Sequence, residues 1–322
     1  MLSLAPMEGL TGYIFRNTHA EIFGQLDRYY TPFLSPPRVG CTFGKRSYAE
    51  IDPKNNRGLN VIPQLLTNNA KEFVWAAHLL AELGYQEVNL NLGCPSGTVV
   101  SKGKGAGFLN NLQNLDAFLG EICEHSPIPV SVKTRIGVLA DEEYEQILEV
   151  YCHHPLAELI VHPRVRQDYY KGTPRWAAYG KTLHTAPFPV AYNGDIFSCA
   201  DKDALIKAYP ETRHIMLGRG ILANPALARM LIGGKSATRD ELICFHNQLF
   251  RAYEREMGGN AIFRMKEWWH YAKFNFSRPL AVHRAIRKTR TVAAYLEATE
   301  KVFATERLAE KAVFADRRAA DR

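Results

Sequence analysis

Residues 89–109 read NLNLGCPSGTVVSKGKGAGFL, and the two halves of this stretch behave differently. The first half ends a buried-type strand, residues 87–92, in which valine and leucine alternate with polar residues. The strand stops at Gly93-Cys94-Pro95, where glycine and proline turn the chain and leave the cysteine at the mouth of the sheet. The second half sets Lys102 and Lys104 among Gly97, Gly103, Gly105 and Gly107. A mobile, cationic segment of this composition suits closure over an anionic substrate. A lone cysteine is more often a small core residue than a reactive one, so the weight falls on the rest of the chain.

Apolar runs recur on both sides of this strand, at 3–7, 28–33, 59–66, 129–135, 158–162, 189–193 and 214–217. Between them lie amphipathic stretches such as 70–83 (AKEFVWAAHLLAEL) and 142–151, the latter with Asp141 as its expected N-cap. Eight strands alternating with helical linkers over residues 1–235 predict an α/β fold, a (β/α)8 TIM barrel. A doubly wound sheet is the runner-up, weakened by the lack of a GxGxxG turn after any strand. After Gly233-Gly234 the strand signals stop. Helical patterns over 241–256, 261–274, 280–289 and 291–309 predict a small all-helical C-terminal domain across 240–311. Residues 312–322 are small and charged and are expected to fray.

Composition narrows the class. The first residues, MLSLAPMEG, lack the basic start and apolar run of a secretory leader, and no stretch approaches the ~20 apolar residues of a membrane span. Six scattered cysteines (41, 94, 123, 152, 199 and 244) form no CxxC pair, so neither a metal site nor a disulfide framework is expected. The expectation is a reduced, cytoplasmic monomer without membrane or metal. The formal net charge of +7 is unevenly placed, since residues 241–322 hold 16 Lys/Arg against 10 Asp/Glu. A basic tail on a nearly neutral body points to a polyanionic partner, nucleic acid first. A solvated helical surface explains the charge equally well.

In a (β/α)8 barrel the chemistry sits at the C-terminal strand ends. Those ends read Pro6-Met7-Glu8, Gln64, Asn91 with Cys94, Lys133 with Arg135, His162 with Arg164, Asn193-Gly194-Asp195 and Gly218-Arg219-Gly220. Lys133 interrupts the apolar run IPVSVKTRIG, and a lysine is rarely buried without a purpose. Loops after the last two strands commonly bind phosphate through glycine-freed backbone N–H groups. A sugar phosphate, a nucleotide and flavin mononucleotide all meet that requirement.

Together these motifs resemble the flavin-dependent tRNA-dihydrouridine synthases of the bacterial type, closest to the subgroup whose first motif is APMEG. The resemblance spans the chain: APMEGLTGYIFR at 5–16, NLGCPSGTVVSKGKGAG at 91–107, SVKTRIG at 131–137, IVHPRVRQDYYKG at 160–172, YNGDI at 192–196 and MLGRGILANP at 216–225. RMKEWWHYAK at 264–273 resembles the family's basic, aromatic helix. Pro163 stands where the family usually has glycine, and Gly107-Phe108 replaces a small-residue–leucine pair.

The resemblance implies FMN over the barrel mouth. Pro6, Met7 and Gln64 would face the isoalloxazine, Lys133 its N1/O2 edge with His162 close by. Asn193, Gly194, Asp195, Gly218 and Arg219 would surround the phosphate. The implied reaction reduces the uracil C5–C6 double bond in tRNA. NADPH reduces FMN, hydride passes from the flavin to C6, and Cys94 gives C5 its proton. A thiol with a free pKa of about 8.5 is mostly protonated near neutrality and serves as an acid. Asn91 and Arg135 would hold the uracil carbonyls, with Arg166 and Tyr169 on the substrate side and Lys102 and Lys104 on the closing loop. Lys266, Arg284 and Arg287 would meet tRNA, as would Trp268 and Trp269 unless they belong to the core. The competing readings are an FMN-dependent oxidoreductase acting on a free pyrimidine or quinone, with a purely structural helical domain, and a non-catalytic RNA-binding protein.

Overall fold

The structure is a computed structural model that describes residues 1–24 and 26–314. The expected frayed end therefore lies largely outside the described residues. Among the described residues, nine short strands form one sheet: β1 (Leu2–Leu4), β2 (Arg28–Tyr30), β3 (Val61–Ile62), β4 (Gln64–Leu65), β5 (Val88–Leu92), β6 (Val130–Arg135), β7 (Leu159–His162), β8 (Val190–Tyr192) and β9 (His214–Leu217). Their order is β3-β2-β1-β9-β8-β7-β6-β5-β4, with parallel registered pairs. The two ends of that order, β3 and β4, are halves of one strand divided by Pro63, so the sheet closes on itself as an eight-position barrel. Proline has no N–H for the ladder. The next N–H, that of Gln64, bonds the Thr31 hydroxyl instead (3.0 Å).

The strands are legible because parallel barrel strands are buried on both faces. All five residues of β5 and all four of β7 are buried. Ala5, Tyr30, Ile62, Ile160, Ala191 and Met216 pack together as an apolar cluster within the barrel. A second buried group is polar: His214 bonds both the Glu158 carboxylate (2.8 Å) and the Ser3 hydroxyl (2.6 Å), and the Tyr30 hydroxyl also donates to Glu158 (3.3 Å).

Helices cover the sheet. Ala70–Glu82 starts at Asn69, whose side chain accepts the Glu72 N–H (3.2 Å), and buries Phe73, Ala76, Ala77 and Leu80. That i, i+3, i+4, i+7 spacing repeats in Leu112–His125 with Leu115, Phe118, Leu119 and Ile122, and Phe73 meets Phe118 edge-on. Burying a side chain such as Phe73 contributes roughly 1.5–3 kcal/mol. The helix Glu143–Cys152 starts as expected, but Asp141 does not cap it. The Glu143 carboxylate instead accepts the N–H groups of Val138, Leu139 and Ala140 (2.7–2.8 Å), while Asp141 pairs with Arg175. One carboxylate thereby satisfies three N–H groups of the loop that precedes the helix.

The chain divides into two compact units. The first comprises Met1–Pro6, Asp27–Gly194 and Leu205–Met216, and holds nearly all of the barrel sheet. The second comprises Met7–Leu26, Asp195–Ala204 and the chain from Leu217 onward. Within it, Arg239–Met257 begins with a Thr238/Glu241 capping box and packs on the early helix Tyr13–Phe23 through Phe15, Phe23 and Phe245. Trp268 and Trp269 are 3% and 1% exposed. They belong to an aromatic core with Phe245, His246, Tyr295 and Phe303, so they do not present themselves to RNA.

Candidate active site

Register places the polar residues of β4 to β7 side by side: Gln64 with Asn89, Asn91 with Lys133, Arg135 with His162. Alternation then points Asn89, Asn91, Ser131, Lys133 and Arg135 to one face. Asn91, Gln64, Asn89 and Ser131 form a one-way hydrogen-bond chain. Asn91 Nδ2 donates to Gln64 (2.7 Å), Gln64 Nε2 to Asn89 (2.7 Å), and Asn89 Nδ2 to Ser131 (2.8 Å). The free end of the chain is Asn91 Oδ1, which accepts the N–H groups of Gly93 (3.0 Å) and Cys94 (2.9 Å). This Asx-type turn fixes where Cys94 sits.

The glycine-rich stretch is folded back against that turn. It forms a short helix, Gly97–Val100, and a 3-10 turn, Gly105–Asn110. The Ala106 N–H bonds the Cys94 carbonyl (3.1 Å). Gly105, at φ +56°, comes so close that a Cβ there would lie 2.9 Å from the Cys94 carbonyl oxygen and 3.0 Å from its Cβ. Cys94 is thus half-buried and held through its main chain from both sides. Lys102 is exposed, and Asn68 holds the Lys102 carbonyl (3.0 Å); Lys104 is half-buried.

Beside Cys94 stands a concentration of positive charge. Burial, and then the neighbouring Arg135 guanidinium, push the Lys133 ammonium down to about 7, while negative charge on Cys94 acts in the opposite sense. Arg135 is 1% exposed. Its guanidinium donates to the carbonyls of Gly93 (2.9 Å), Val165 (3.0 Å) and Tyr169 (2.7 Å), tying the cysteine turn to the loop after β7. One N–H remains on each terminal nitrogen. A lysine replaces the charge but not the planar fork. We expect Arg135→Lys to cost about 2–3 kcal/mol in urea unfolding and to speed alkylation of Cys94 by iodoacetamide. Unchanged stability and alkylation would remove Arg135 from that bracing role.

The loop after β7 accommodates its unusual proline. The Arg164 N–H bonds the His162 carbonyl (2.7 Å), an inverse γ-turn whose central φ proline already has. The turn brings the fully buried Arg164 back to His162, and its guanidinium donates to His162 Nε2 (3.2 Å). Tyr169 adopts φ 53° and ψ −92°, a conformation that costs about 1–3 kcal/mol in a non-glycine residue. The Arg166 guanidinium lies over the Tyr169 ring and bonds its hydroxyl and the Pro95 carbonyl (both 3.3 Å). Arg166 therefore ties Tyr169 to the Cys94 turn. Tyr170 packs against His162 and beneath Arg135. Sequence reading places Arg164 at the barrel rim without giving it a role and leaves Tyr170 out of the site, although an aromatic pair in a loop is a visible signal.

Of the residues expected at the flavin ring and its phosphate, Pro6, Asn193 and Gly194 fall in the first unit and Met7, Asp195, Gly218 and Arg219 in the second. In the first, Pro6 is half-buried, the Asn193 amide braces the Met216 carbonyl (2.9 Å), and any Cβ at Gly194 would run into the Tyr192 hydroxyl. In the second, the Met7 carbonyl closes a turn with Leu10 and Thr11. Arg219, following Gly218, bonds Asp195 (2.5 Å) and lies beside the paired rings of Phe197 and Phe314 (5.4 and 5.3 Å). Farther along, Lys266 bonds the Thr289 carbonyl, and Arg284 and Arg287 are exposed.

The family model for dihydrouridine synthase matches residues 3–304. The chain belongs to the dihydrouridine synthase family. A tRNA-dihydrouridine(16) synthase of Cupriavidus necator is 28% identical over 306 residues, covering 89% of this chain and 92% of that protein. A probable tRNA-dihydrouridine synthase of Staphylococcus aureus is 27% identical, covering 79% and 78%. Among solved structures, morphinone reductase superposes with a TM-score of 0.52 at 12% identity, covering 76% of this chain and 88% of that one. Histamine dehydrogenase from Rhizobium sp. 4-9 gives 0.52 at 10% identity, over 72% and 45%. At such identities the likeness is one of fold, and it supports the TIM barrel of this dihydrouridine synthase family member.

Proposed function

We propose that this protein reduces the C5–C6 double bond of a uridine in tRNA to dihydrouridine, with FMN as cofactor and NADPH as reductant. The observation that carries the reading is the placement of Cys94. A thiol is fixed at the barrel rim by Asn91, beside the depressed ammonium of Lys133. The family and the named activities of its relatives favour this reading over a small-molecule oxidoreductase.

The residues present fit a flavin. A half-buried lysine beside a buried arginine makes a cationic, poorly solvated patch, which favours an electron-rich ring edge over water. In this proposal Pro6, Met7, Gln64, Lys133 and His162 hold the ring, and Asn193, Gly194, Asp195, Gly218 and Arg219 the phosphate. Bound FMN supplies the hydride, replenished from NADPH.

The chain's own residues do the rest. Cys94 holds a proton for C5. The charge then left on sulfur is met by Lys133, whose ammonium it stabilises in turn. Asn91 keeps one side-chain N–H and Arg135 two after their structural bonds, and these are the donors for the uracil carbonyls. Arg166 and Tyr169 border the same turn. A uridine in folded tRNA reaches such a pocket only by leaving its stack.

Incubation with NADPH and tRNA lacking dihydrouridine, followed by nucleoside mass spectrometry, tests the reading. Dihydrouridine should accumulate, and binding should weaken steeply with salt, as phosphate contacts require. Reduction of free uracil or a quinone at a comparable kcat/KM, with tRNA untouched, would overturn it.

A further inference from the structure

The second unit contains a cavity of about 770 Å3, within the ~300–1,000 Å3 range of small-ligand sites. It lies among the end of the helix Ala261–Ala272, the start of Pro279–Arg287 and the last described residues. The final segment is tied back across it. The Ser277 N–H bonds the Arg307 carbonyl (2.9 Å), the Ala309 N–H bonds the Asn275 carbonyl (2.8 Å), and Phe276 and Leu308 form an antiparallel bridge. Phe314 anchors the end against Tyr271 and Phe274, with ring centroids 5.5 and 5.3 Å apart.

The lining is of two kinds. Phe274, Phe276 and Leu280 give an apolar, aromatic wall. His270, Lys273 and His283 give a wall of N–H donors, with Arg278 and Lys311 also on the lining; among the described residues no acidic side chain lines it. Arg278 is answered by Glu306 (2.7 Å), which is not part of the lining. Lys273 is 7% exposed, its ammonium 5.1 Å from the Phe274 ring centre, and the His270 and His283 rings meet at 5.7 Å. His283 is held below the ordinary histidine range by burial, then by the positive charges of Lys273, His270 and Arg287. Lysine and imidazole N–H groups are donors that a phosphate accepts. Aromatic faces beside cations are the composition of sites that stack a base and hold its phosphate.

We propose that this cavity is a nucleotide subsite for the RNA substrate. A base rests on the Phe274–Phe276 wall and its phosphate on His270, Lys273 and His283. The inference rests on tRNA being the substrate, and adds to it that the helical region grips a base as well as the backbone.

Leu280 lines the cavity and is 57% exposed, so changes there leave the core intact. With FMN-loaded protein and tRNA lacking dihydrouridine, Leu280→Glu should weaken binding about tenfold at low salt, while Leu280→Lys should not. Ile232→Glu, at a 77% exposed position off the lining, should stay within about twofold. Lys273→Met should weaken binding and flatten the salt slope by about one. Millimolar UMP should compete with tRNA in the unaltered protein, and NADPH-driven flavin reduction should be equal throughout. Equal tRNA binding by the Leu280→Glu and Leu280→Lys variants would overturn the proposal. So would UMP binding that Leu280→Glu abolishes while tRNA affinity is unchanged, since the cavity would then serve a free nucleotide. An unaltered protein with no affinity for tRNA would instead refute the functional reading itself.

Discussion

Replacing Cys94 by alanine should cut dihydrouridine formation by about 10²–10⁴-fold, the usual contribution of a positioned acid, and leave flavin reduction by NADPH intact. The separation is expected because this residue is fixed through its main chain. Asn91 holds its N–H and Ala106 its carbonyl. Alanine keeps both, fits beside Gly105, and removes only the sulfur. FMN content, tRNA affinity and the rate of flavin bleaching therefore serve as internal controls. Near-normal turnover on tRNA by Cys94→Ala would mean that C5 takes its proton elsewhere, and the thiol would be a structural residue.

The second large effect concerns Lys133, where function and stability should move in opposite directions. Its ammonium titrates at about 7 in the folded protein against 10.5 in the unfolded chain, mainly because it is buried. Below pH 7 both states carry the proton, and the fold bears the full cost of the buried charge. Between 7 and 10.5 the unfolded chain binds more protons than the folded one, so stability rises with pH as the group is neutralised. Lys133→Met should therefore stabilise the flavin-free protein most at and below pH 7. The gain should be on the order of 2–4 kcal/mol and shrink towards pH 10. In the proposed site Lys133 is the cation at the ring edge, so the same change should weaken FMN retention and slow reduction of the bound flavin. Thermal unfolding at pH 6 and pH 9.5, with FMN affinity from flavin fluorescence, reads both effects. A variant less stable at pH 6, or one that binds FMN normally, would contradict this account of Lys133.

Much of this architecture is visible in the sequence because parallel barrel strands leave a strong trace. The runs around β5, β6 and β9 reappear within a residue or two, and the polar interruptions Asn91, Lys133, Arg135 and His162 fall at adjacent registers. The break at Pro63 was hidden, since an apolar run does not show where one residue leaves the ladder. Nor does apolar spacing say which surface a helix will meet. Tyr13–Phe23 follows the first barrel strand, yet packs on Arg239–Met257 through Phe245. Within the site, residue types were legible but their bonds were not. Arg135 and Gln64 read as ligand contacts, whereas much of their hydrogen bonding goes to braces around Cys94. Trp268 and Trp269 sit in a basic helix, but their size sends them to the core.

The central claim is that reducing equivalents pass from a flavin at the barrel mouth to a uridine of tRNA. A visible spectrum of the purified protein under anaerobic conditions tests it most directly, with NADPH added first and then tRNA lacking dihydrouridine. A flavin spectrum should bleach with NADPH and return when tRNA is added. A flavin that bleaches and stays bleached, or a colourless protein that FMN does not reconstitute, would contradict that claim.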